Sequence, residues 1–158
     1  MKQLTGKKAM VLVKKIEGPF KGLPHLPKGL VDFLVSVAPW FVGLAGLMGV
    51  WGGLSSLFWS GRRGLMWEYV ERFSGISNTY FVLTAVISIL SGVLMLMAFS
   101  HLKNMKLEGW MLLFWANVLA ILQSVLGIVF AYGGIVGTLL SALFGFYFLF
   151  EVKPKYKK

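Results

Sequence analysis

Cysteine is absent from the 158 residues. Disulfides, thiol redox chemistry, thiolate metal sites and cysteine nucleophiles are therefore excluded. Histidine occurs only as His25 and His101, too few for a histidine-rich metal centre without carboxylate help. Acids are scarce as well: Glu17, Asp32, Glu68, Glu71, Glu108 and Glu151 are the full set. Each lies at or near the end of an apolar run. Ion-coupled transport and intramembrane proton relays need ionisable side chains at depth, so this placement argues against both. Charged residues of all kinds reach only 14%, against about 25% in average globular domains. No set of residues assembles a catalytic, metal or cofactor site, and the chain is expected not to be an enzyme. His101 follows Ser100, but adjacency in sequence is no argument for a nucleophile–base pair.

What is plentiful is apolar. Hydrophobic residues make up 57% and aromatics 15%, with a mean hydropathy of +0.74. One soluble core of this length cannot hide that much apolar surface, and the composition predicts an all-α integral membrane protein. The start does not read as a cleavable signal, because Lys14 and Lys15 cut the apolar run Ala9–Val13 short and no small-residue cleavage site follows.

Three stretches carry no charge: Phe33–Gly61, Phe73–Ser100 and Gly109–Phe150. A spanning helix needs about 20 apolar residues. As one helix the third stretch would run roughly 63 Å at 1.5 Å per residue, so it must fold back. Ala131-Tyr132-Gly133-Gly134 is the break, since paired glycines punctuate the pattern. The result is a four-helix transmembrane bundle over residues 30–150, with spans at about 31–59, 79–100, 110–130 and 133–150. A basic leader (1–29) precedes it and a basic tail (151–158) follows.

Charge asymmetry predicts the same count. Lysines crowd the leader, the 101–109 loop and the tail, whereas the loop 61–78 offsets Arg62, Arg63 and Arg72 with Glu68 and Glu71. Lys and Arg favour the cytoplasmic side. Both termini are then cytoplasmic in a multi-pass protein of the plasma (inner) membrane. The net charge of +10 is explained by topology and by anionic lipid headgroups as partners, at about 1 kcal/mol per juxtamembrane residue; nucleic acid is not expected as a partner.

Two segments read as lying on the membrane. Residues 7–16 alternate basic and apolar character and fit either an interfacial helix or a disordered basic leader. In the outer loop, Leu65, Met66, Tyr69, Val70 and Phe73 recur at helical spacing, predicting a short amphipathic helix over 64–73. Asp32, four residues after Lys28, predicts an ion pair at the start of the first span.

Small residues recur every four positions in the spans, as at Ala45, Gly49 and Gly53, and at Thr84, Ser88 and Gly92. In lipid, close backbone approach through small residues drives helix association. The ladder Gly133, Gly137, Ser141 and Gly145 in the fourth span is the candidate subunit interface. Asn117 and Gln123 are the strongest polar side chains within a span and are expected to bond to neighbouring helices; Thr84 and Ser88 are further candidate polar intramembrane residues. Pro39 predicts a kink in the first span. The six tryptophans are expected mostly in aromatic belts at the span ends.

Pro24-His25-Leu26-Pro27, Ala38-Pro39-Trp40 and Leu107-Glu108-Gly109-Trp110-Met111-Leu112-Leu113-Phe114 together resemble motifs of a set of small bacterial four-span membrane proteins. The resemblance implies a four-span bundle and brings no activity, cofactor or site residue. Small multidrug-resistance transporters differ at the decisive point: they use a Glu in the first span, and this span has none. The expected function is a non-catalytic membrane element: a scaffold, an accessory subunit bound to another membrane subunit, or a homo-oligomer. The alternative is a passive pore or uncoupled small-solute carrier formed by an oligomer.

Overall fold

The computed structural model describes residues 7–22, 24–61, 78–131 and 134–156. Five α-helices follow in order: α1 (Lys7–Glu17), α2 (Lys28–Gly61), α3 (Asn78–Lys103), α4 (Leu107–Ala131) and α5 (Ile135–Val152). Short 3-10 turns occupy Gly18–Gly22 and Lys153–Lys155. Among the described residues there is no strand. Helices α2 to α5 are long and apolar enough to cross a membrane. The expected spans match these four helices, with α2, α3 and α4 running a few residues further. The expected outer-loop helix over 64–73 lies outside the described residues, as does Gly133.

The tightest contact joins α2 to α3, and it is a glycine contact. A Cβ on Gly46 would stand 2.9 Å from the Gly92 carbonyl oxygen, and one on Gly53 2.8 Å from that of Ala85. From the other side, a Cβ on Gly92 would meet the Gly46 carbonyl oxygen at 2.8 Å. Backbone thus faces backbone. Ser88 Oγ adds an interhelical hydrogen bond to the Gly49 carbonyl at 3.2 Å. In hydrocarbon, such approach gathers dispersion contacts that larger side chains would prevent.

The connection from α3 to α4 is short because α3 ends in a Schellman motif. Lys106 N–H bonds to the His101 carbonyl at 2.9 Å and Met105 N–H to that of Leu102 at 3.0 Å. Met105 takes the left-handed conformation this requires, with φ 52°, a place usually given to glycine. Gly109 then lets α4 start hard against α3: a Cβ there would be 2.7 Å from Leu102 N.

The buried core is not spread evenly. It gathers at one end, here the closed end, where the start of α2, the α3–α4 turn and the tail meet. Val13, Val31, Ala98, Leu102, Trp110, Phe114, Phe150 and Tyr156 form its centre. Helix α1 does form, and it sends Val13 into this core, with Ile16 packed beside it. Trp110 corrects the expectation for its position. It is fully buried, and its indole N–H donates to the Leu149 carbonyl at 2.7 Å. Trp51, by contrast, is 74% exposed.

Helix α5 joins this core through its last turns only. Its open-end half is exposed at Ile135, Val136, Leu139, Leu140, Leu143 and Phe144. A Cβ on Gly137 would meet nothing within 4 Å.

Two outcomes check this account. Gly92→Ala forces α2 and α3 apart and lowers stability by about 1–3 kcal/mol. Met105→Gly relieves the left-handed strain and raises stability by about 1 kcal/mol. Reversible unfolding in mixed detergent micelles reads both.

Candidate functional site

With α2 drawn onto α3 and α5 held at its end, a gap is left between α2 and α5. It is a half-open cavity of 490 Å³. Helix α2 contributes Phe33, Val37, Ala38 and Phe41; α3 gives Met95; α4 gives Leu113, Asn117 and Ala120; α5 gives Gly145, Phe148 and Leu149. Small side chains at Ala38 and Ala120, and none at Gly145, leave the space unfilled. The volume lies in the range of small-molecule sites, which are mostly apolar with a few placed polar groups.

Asn117 is the single polar side chain in this wall. Its Nδ2 is buried and has no hydrogen-bond partner. A Cβ on Gly145 would stand 2.7 Å from Asn117 Oδ1, so the glycine is what gives the carboxamide room. A buried amide donor without an acceptor costs about 1–3 kcal/mol.

The other candidate polar residues do not join it. Thr84 Oγ1 donates within its own helix, to the carbonyls of Tyr80 and Phe81 at 2.9 and 3.1 Å. Ser88 belongs to the α2–α3 seam. Gln123 is half-buried and outside the cavity wall. These four side chains line no common path within one chain. Pro39 is buried, and α2 passes through it as a single helix; its neighbours Ala38 and Phe41 reach the cavity. The fourth-span ladder is split. Gly145 packs on Asn117 inside the chain, whereas Gly137 and Ser141 are exposed, with Ser141 Oγ bonded to the Thr138 carbonyl.

The closed end beside the cavity is tied by ion pairs and rings. Lys153 Nζ meets Glu17 Oε2 and sits over the rings of Trp110 and Phe150 at 5.4 and 5.8 Å. Lys155 Nζ pairs with Asp32 Oδ1 at 2.6 Å. This corrects the expected partner of Asp32, which was Lys28. A basic residue four positions before an acid is the weaker helical order, and the tail offers a better-placed cation. Glu151 accepts from Leu26 N–H at 3.0 Å, with His25 Nδ1 at 3.3 Å. These contacts join residues far apart in sequence, and no local pattern announces them.

A second cluster, Ser100, His101 and Glu108, sits at the α3–α4 turn. His101 Nδ1 lies 2.9 Å from the Met97 carbonyl, 3.3 Å from Ser100 Oγ, and Nε2 lies 3.5 Å from Glu108 Oε2. A carbonyl oxygen only accepts, so Nδ1 carries the proton and cannot take one from Ser100. The histidine closes the helix end and is not poised as a base toward Ser100. Among the described residues, no three His, Asp or Glu side chains gather where they could hold a metal ion.

Tyr156 is buried and its hydroxyl has no partner. Burial raises its pKa above the ordinary 10.0. No family model, curated protein or solved structure matches the chain.

The raised phenol holds its proton in the folded state at pH values where the unfolded chain releases it, so stability falls as pH rises through 10. Tyr156→Phe removes an orphan hydroxyl, is expected to gain about 1 kcal/mol, and abolishes this alkaline decline. Thermal unfolding across pH 8–11 on the order of half-unit steps measures both effects.

Proposed function

We propose that this is a non-catalytic integral membrane protein, with both termini on the cytoplasmic face of the plasma (inner) membrane, that works as a homo-oligomeric membrane element. A scaffold or accessory subunit is the same reading with a different neighbour on the same face. In the most apolar window of each long helix only 17–22% of residues are buried. Water does not tolerate apolar surface on that scale, and a bilayer does. At the closed end Lys14, Lys15, Lys28, Lys103 and Lys106 pair with no acid among the described residues. Their charge is left for the cytoplasmic leaflet and its anionic headgroups.

The observation that carries the reading is the open-end half of α5. It is apolar all round, packs little within the chain, and presents Gly137 and Ser141 together on one exposed side. Small residues on an unpacked span are where a second helix approaches most closely.

The absence of native cysteine makes the test clean. Oxidising native membranes that carry Gly137→Cys or Ser141→Cys is expected to give a covalent product of twice 17.6 kDa. Leu139→Cys, about 160° to 200° away on the helix, is expected to give little. Equal products from all three, or none from any, contradict the homo-oligomer.

A further inference from the structure

The cavity lies at the closed-end half of the bundle, away from the α5 face considered above. We propose that it binds an uncharged, ring-bearing lipophile carrying a carbonyl group, and that Asn117 donates a hydrogen bond to that carbonyl. The inference rests on the membrane placement proposed above and is independent of the oligomer.

A half-open apolar cavity in a bilayer does not stay empty, because its walls would forfeit their contacts. The question is what fills it. No charged side chain lines the wall, so an ion or a charged headgroup has no partner at its floor. An ordinary phospholipid chain fits the apolar lining but leaves the amide unanswered. Asn117 stands roughly 15 Å along α4 from its start, at 1.5 Å per residue, and the hydrocarbon core is only about 30 Å thick. The ester carbonyls of a phospholipid remain at the interface and do not reach that depth.

The occupant therefore carries its own acceptor into the hydrocarbon. Asn117 Nδ2 lacks a partner, and a half-turn of the carboxamide about its last torsion exchanges the positions of Oδ1 and Nδ2. Both positions lie against Gly145, where a Cβ would come within 2.7 Å of Oδ1 and 3.1 Å of Nδ2. Phe33, Phe41 and Phe148 stand in the wall and are exposed, and their faces and edges suit a flat ring better than a flexible chain. The 490 Å³ of space matches a ring with a short tail.

The test uses the full chain in nanodiscs of phosphatidylethanolamine and phosphatidylglycerol. The probe is a decyl-substituted benzoquinone, with decylbenzene as the ring without carbonyls. Probe retained per chain is measured against empty discs, and thermal unfolding of each variant in the same discs confirms the fold. The wild type is expected to hold about one quinone per chain. Asn117→Leu is expected to weaken quinone binding about tenfold, as loss of one buried hydrogen bond implies, and to leave decylbenzene unaffected. Ala38→Phe, which fills the cavity, is expected to lose both probes. Retention of the quinone by Asn117→Leu at wild-type affinity, or no retention above empty discs by the wild type, overturns the proposal.

Discussion

The close approach of α2 to α3 decides the rest of this molecule. Three glycines on α2 and one on α3 bring backbone to backbone, the contact on which helices long and apolar enough to cross a membrane depend most. Helix α4 follows α3 through the short Schellman turn. Three helices are then committed side by side, and the fourth span must fasten to what remains. It does so at one end, where the rings of Trp110, Phe114, Phe146 and Phe150 cluster with centroids 5.6–6.3 Å apart in several pairings. The cavity and the unpacked half of α5 are both consequences of that commitment.

The closed end compensates in kind. Helix α1 and the tail would be loose basic segments on their own. They are held because Val13 and Tyr156 enter the aromatic core and because Glu17, Asp32 and Glu151 bridge leader, first span and tail. Partly shielded pairs of this type fix geometry more than they add stability. Here they fix the leader and tail across one end.

The number and approximate extent of the four long helices were legible because they depend on charge-free length: the break before Ile135 follows from length and paired glycines. The packing register was only half legible. A strict four-residue ladder drifts by about 40° per step on an α-helix. Ala45 therefore falls off the seam and is exposed, whereas Gly46, Gly49 and Gly53 alternate steps of three and four and stay in line. The same drift separates Gly137 from Gly145 by about 80°, so that one faces outward and the other packs on Asn117. Asn117 could be singled out as a polar residue in a span; its orphan donor could not, because that depends on Gly145 and Ala38 from other helices. Trp110 looked like a belt residue by position and is a core residue by virtue of a carbonyl on α5. The long-range ion pairs left no local trace.

The open half of α5 is unpacked within one chain, and in the proposed oligomer a second copy covers it. A nitroxide placed singly at each position from 135 to 144 in native membranes, read for its accessibility to dissolved oxygen, tests it most directly. Among the positions exposed within one chain, 137 and 141 are expected to be protected and the others highly accessible, with the half-buried 138 and 142 intermediate. Uniformly high accessibility along the helix would show α5 facing lipid on all sides and would contradict it.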